Sequence, residues 1–168
     1  MRPNASYWIE KLQLVSHIEG GAYRETYRSD LTIPRTALPL FFQGDRTAST
    51  CIYFLLSKGQ FSGFHRIAAD ELWHFYYGDP LIVYEINHNG RLLTHRLGSN
   101  PENGETFQAI IKAGSWFAST PAPGSEYTLA GCTVAPGFDF ADFELGESAA
   151  LTEQYPDHAD LIRQYTYL

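Results

Sequence analysis

Positive charge is scarce in this chain: lysine occurs only as Lys11, Lys58 and Lys112, and the net charge is −7. Clustered cations are what hold a phosphate backbone, so no nucleic-acid partner is expected. Cysteine is limited to Cys51 and Cys132. They lie far apart, each in an apolar strand-like run, and are expected as buried free thiols rather than a disulfide. Long hydrophobic runs are missing: no stretch approaches the roughly eighteen apolar residues of a membrane span. Residues 1–14 hold no unbroken apolar segment of the secretory type. The expectation is a cytoplasmic protein with reduced thiols and no membrane partner.

What the chain has is aromatic residues. They make up 15% of its 168 positions, with eleven Tyr and eleven Phe, inside a hydrophobic share of 44%. Aromatics fill pleated surfaces and offer flat faces to ligands, which suits a sheet protein with a lined cavity. The length suits one domain, residues 1–168, able to bury a core without staples.

Residues 1–18 read as a helix, with Asn4 or Ser6 as cap and Trp8, Ile9, Leu12 and Val15 at helical spacing. Glu19-Gly20-Gly21 breaks it, and residues 22–28 alternate as a strand. Residues 32–46, with Pro34, Pro39 and Gly44, read as a loop. Short strands are then expected at 49–56, 63–66, 71–77, 81–86, 92–97, 106–111, 115–119, 127–134 and 140–144. Turn residues separate them, Asn89-Gly90 being a strong hairpin signal. This rhythm predicts an all-β jelly roll or sandwich over residues 22–145, followed by a helical tail at 148–168 interrupted at Pro156.

One segment carries a spaced set of chemical residues: Gly59, His65, Glu71 and Gly78, with Ile67 two residues after the histidine. Strand alternation puts Glu71, Trp73 and Phe75 on one face and His74 on the other. His65 and Ile67 share a face. The spacing resembles the first motif of the cupin superfamily, with isoleucine in place of that motif's second histidine. Further blocks extend the resemblance to the domain-of-unknown-function cupins of the fifth type. They are E-G-G-A-Y-R-E-T-Y-R-S (19–29), I-Y-F-L-L (52–56), residues 62–81, G-S-W-F-A-S (114–119) and residues 131–145. The resemblance implies a single-domain cupin jelly-roll barrel, usually a homodimer, with an internal cavity.

Metal-binding cupins hold their ion with two histidines and a glutamate of the first motif and a histidine of the second. Here Ile67 and Phe117 stand at two of those positions, leaving His65 and Glu71 as the candidates for any divalent metal. No cofactor is therefore predicted. Without a metal, His65 is a candidate acid–base group, oriented by Glu71, or by Asp139 or Asp142 if the fold brings them close. Jelly-roll sugar-nucleotide epimerases add a tyrosine acid, for which Tyr23, Tyr53 and Tyr127 are candidates.

Arg24 and Arg28 are expected on one strand face. Arg24 is the candidate for gripping a carboxylate or phosphate, the alternative being ion pairs with Glu25 or across a dimer. Tyr23, Trp73, Phe75 and Phe117 are expected as cavity wall. The functional expectation is a cavity for a small polar metabolite, with metal-independent sugar or nucleotide-sugar epimerase or isomerase chemistry and His65 as base. A non-catalytic binding or sensing module, and a metalloenzyme with a reduced ligand set, are the alternatives.

Overall fold

The computed structural model describes residues 2–167. In chain order its elements are α1 (Ala5–Leu12), β1 (Val15–Ser16), β2 (Ala22–Arg28), β3 (Thr32–Ile33), β4 (Arg46–Thr47), β5 (Thr50–Ser57), β6 (Ser62–Arg66), β7 (Asp70–Gly78), β8 (Leu81–Ile86), β9 (Leu92–Leu97), β10 (Gln108–Ile111), β11 (Trp116–Pro121), β12 (Tyr127–Ala135), β13 (Glu144–Leu145), α2 (Ser148–Gln154) and α3 (Ala159–Gln164). A six-stranded sheet runs β1-β2-β5-β12-β7-β10 and a five-stranded sheet runs β13-β6-β11-β8-β9. Every pairing of named strands in them is antiparallel. The two inner faces meet over Phe54, Leu56, Trp73, Leu81, Val83, Leu97, Ile111, Phe117, Ala130 and Cys132. This is the all-β jelly roll expected, with helices at both ends.

Both β5 and β12 are buried on two faces, and that decides where their side chains go. Phe54 and Leu56 point inward, as do Ala130 and Cys132. Leu55, Tyr127 and Leu129 point outward, where α1 covers them with Trp8, Ile9 and Leu12. Asn4 caps α1 by accepting the Tyr7 amide at 2.9 Å. The helix ends earlier than its spacing suggested: Gln13 takes φ 54°, and Val15 begins a strand. The carboxy-terminal helices pack Leu151, Ile162 and Tyr165 on the outer face of the smaller sheet, against Phe64, Ile86 and Trp116.

Residues 32–46 are more ordered than a plain loop. Thr32 and Ile33 pair with Thr47 and Arg46 as a small ribbon. Arg46 forms a buried two-point ion pair with Asp142, both bonds at 2.6 Å. That contact fixes Asp142 in a structural role beside the barrel. Of the strand expected at 140–144, only Glu144 and Leu145 pair, because Phe140–Asp142 form a 3-10 turn capped by Asp139.

Candidate active site

One end of the barrel encloses a cavity of about 500 Å3 between the sheets. The wall is supplied by β2 (Tyr23), β5 (Ile52), β6 (His65), β7 (Glu71) and β12 (Cys132, Val134), with His17 and Glu19 entering from the turn before β2. Glu25, Arg28, Thr50, Ile67, Phe138, Asp139 and Phe140 complete the lining.

His65 is 2% exposed, its ring 4.1 Å from that of Phe117 and stacked on Phe143 at 5.4 Å. Its Nδ1 lies 2.7 Å from the Gly63 carbonyl. A carbonyl only accepts, so Nδ1 carries a proton. Its Nε2 lies 3.0 Å from Glu19 Oε2. The contact is at ion-pair distance, close enough for the two groups to share one proton. Burial lowers the pKa of His65 and raises that of Glu19 to about 7, so it disfavours the charged form of each.

Glu19 is a cavity residue that the sequence did not single out. It lay in view only as the charged residue before a helix-breaking Gly-Gly. The structure shows why those glycines are there. Gly20 has φ +108°, and a side chain on it would overlap the Phe61 carbonyl and the Tyr167 hydroxyl. The Gly63 amide donates to the Glu19 carbonyl at 2.8 Å, tying the turn to β6. The Glu19 amide in turn donates to His17 Nδ1 at 3.3 Å, so neutral His17 carries its proton on Nε2. Burial lowers the His17 pKa and favours that neutral form.

Glu71 is 8% exposed and lines the same cavity, with no hydrogen bond to His65. Burial raises its pKa to about 7, the negative charge of Glu19 adding to the effect and His65 opposing it. Cys132 lies beside it, and burial followed by the Glu71 charge pushes its thiol up, which keeps it protonated. Sequence reasoning made Glu71 the partner of His65; Glu71 acts on it through its charge, while the ion-pair contact is with Glu19.

Strand parity sorts the remaining candidates. Tyr23 lines the cavity. Tyr127 is on the other side of its sheet, donating to the Pro3 carbonyl at 2.6 Å and accepting from Trp8 Nε1 at 3.1 Å. Tyr53 is likewise outside, edge-on to Tyr76 at 5.9 Å. Trp73 and Phe117 are fully buried core, with Phe75 packed against them. Arg24 points outward to the Leu12 carbonyl at 2.9 Å. A bulge between Glu25 and Tyr27 switches the parity of β2, so Arg28 lines the cavity while Arg24 does not. The two arginines expected on one face are on opposite faces. Arg28 is itself bound to Glu25 at 3.0 and 2.7 Å. His74 sits on the outer face, at 3.0 Å from Thr133 Oγ1 and 3.1 Å from Gln108 Nε2.

Residues 6–146 match the family described as "Cupin superfamily (DUF985)". The chain belongs to this cupin family. It is 30% identical over 145 residues to the uncharacterised protein YML079W of Saccharomyces cerevisiae, covering 80% of this chain and 71% of that one. Among solved structures, protein SO0799 from Shewanella oneidensis superposes with a TM-score of 0.87 at 38% identity, over 99% of both chains. A hypothetical protein from Leishmania major gives 0.86 at 35% identity, over 99% of this chain and 100% of that one. Oxalate decarboxylase from Bacillus subtilis matches at 0.55 and 13% identity, over 89% of this chain and 36% of that one, a likeness of fold alone.

The residues of this cupin do not fit the superfamily's four-ligand metal centre. Ile67 packs with Phe42 and Val134, Phe117 lies against the His65 ring, and the Glu19 carboxylate stands in front of Nε2, the nitrogen that would face an ion. Among the described residues no three His, Cys, Asp or Glu side chains are arranged to hold a metal.

Proposed function

We propose that this cavity performs metal-independent proton transfer on a small polar metabolite, of the isomerase or epimerase type. The observation that carries the reading is the 3.0 Å approach of His65 Nε2 to Glu19, with the Glu71 carboxyl in the same cavity. A general acid and base work best with pKa values near the operating pH, and Glu19 and Glu71 are both raised to about 7. The His65–Glu19 pair is the base, refining the expectation of His65 alone. Its carboxylate takes a proton from the carbon beside a substrate carbonyl, and His65 holds the bridging charge. The electron pair left on carbon moves onto the carbonyl oxygen, which takes the proton of Tyr23. Glu19 then gives its proton to the former carbonyl carbon, while Tyr23 recovers one from the hydroxyl of the carbon first deprotonated, which completes an isomerisation. Tyr23 is the one cavity tyrosine of the three candidates.

The test is solvent deuterium incorporation into candidate sugars in D2O. Exchange is expected with wild-type protein and a loss of about 10²–10⁴-fold in H65A and E19Q, the usual contribution of a positioned acid–base group. Ligand-induced thermal stabilisation with no exchange supports a binding module instead.

We also propose that the chain assembles as a homodimer. Tyr27, Tyr76 and Ile110 are exposed on the outer face of the six-stranded sheet, an unusual density of apolar surface.

A further inference from the structure

The cavity holds an uneven set of charges. Four carboxyl side chains line it, Glu19, Glu25, Glu71 and Asp139, against the single guanidinium of Arg28. Glu25 grips that guanidinium at two points and the Phe138 carbonyl takes a third, 3.3 Å from Nη1. Glu19 is matched by His65. Among the described residues no lysine lines the cavity, and Glu71 has beside it the Cys132 thiol and, acting through charge alone, the His65 ring that Glu19 contacts. Glu71 is thus a carboxyl more than nine-tenths buried, facing a cavity, with no lysine or arginine paired to it among the described residues.

Two further features point to what fills that space. The aromatic rings of Tyr23, Phe138 and Phe140 line the same cavity, and ring faces attract a desolvated cation. His17 has a side chain only 8% exposed, stands edge-on to Tyr23 at 4.5 Å, and uses Nδ1 for the Glu19 amide. Its Nε2–H has no hydrogen-bond partner among the described residues and lines the cavity as a buried donor. That donor calls for an oxygen on the ligand. A diphosphate has nothing here to neutralise it, because the one guanidinium is committed.

We propose that the cavity takes a small hydroxylated organic ammonium, of the amino-sugar or amino-alcohol class, with Glu71 as its counter-charge and His17 Nε2–H donating to a ligand hydroxyl. The proposal rests on the proton-transfer reading of the site and names its substrate class. It replaces the nucleotide-sugar expectation with a cationic one.

Calorimetric titration of the full chain with two shape-matched series tests it: glucosamine, glucose and glucuronate; and serinol, glycerol and glycerate. In at least one series the amine is expected to bind about 10-fold or more tighter than its neutral counterpart, the scale of one charge-assisted hydrogen bond, with no binding of the anion. E71Q removes most of that preference. D139N, at the rim, reduces it less and serves as the second variant. Tighter binding of the neutral or anionic member, no binding of either amine, or a preference unchanged in E71Q overturns the proposal. Deuterium exchange run in parallel separates the two claims. Amine binding without exchange keeps the ligand class and removes the catalytic reading. Exchange in glucose with no preference for amines does the reverse.

Discussion

At the scale of single residues, the chemistry turns on what faces His65 Nε2. In this chain a carboxylate stands there, and the two ligand positions that could complete an ion's shell are Ile67 and Phe117. The four residues Gly59, His65, Glu71 and Gly78 were enough to indicate a cupin and to place His65 and Glu71 in a cavity. Glu19 was not legible, because its contact with His65 is long-range and made by a turn whose path no local pattern encodes. Its only trace was a charged residue before two glycines.

Glu71 makes a prediction at this scale. Its pKa is 4.5 ordinarily and about 7 when folded, so between those values the folded state binds more protons than the unfolded one. The stability that this proton contributes is complete below pH 4.5 and is lost as pH rises through about 7. E71Q keeps the shape and drops the ionisation. Thermal unfolding is therefore expected to show E71Q gaining on wild type as pH rises from 5 to 8, by on the order of 1–3 kcal/mol at the upper end. A difference that does not change with pH shows that Glu71 is not held protonated by burial.

At the scale of elements, most strands lay where turn residues placed them, and their parity was the harder matter. Alternation says which residues share a face, but only one buried face tells which face is inner. In β5 and β12 both faces are buried, the inner by the core and the outer by α1. Tyr53 and Tyr127 were therefore plausible cavity groups from sequence and are outside in the structure. In β2 the bulge between Glu25 and Tyr27 reverses parity midway, which no period-two reading anticipates. It turns Arg28 toward the cavity, where Glu25 neutralises it.

For the whole molecule, the jelly roll was readable from rhythm and motif together, whereas the acidic character of its cavity was not. Charge counted along the chain gives −7 overall and says nothing about where the carboxylates converge. The fold brings Glu19, Glu71 and Asp139 from three distant segments to one cavity. No helix among the described residues is long and apolar enough to cross a membrane. The outer face of the six-stranded sheet carries the dimer prediction. Light scattering at micromolar concentration is expected to give twice the chain mass of 19.0 kDa, and Y76E, which puts charge on that face, is expected to halve it. A monomeric wild type contradicts this assembly.

The central claim is that a carboxylate-held proton stands on His65 where a metal-binding cupin carries its ion. Nitrogen-15 NMR of histidine-labelled protein reads it directly, comparing wild type with E19Q near pH 7. The account predicts a proton shared between His65 Nε2 and Glu19, seen as a strongly downfield proton resonance coupled to that nitrogen and lost in E19Q. Nδ1 keeps its proton, on the Gly63 carbonyl, in both. An identical His65 spectrum in the two proteins would contradict the account.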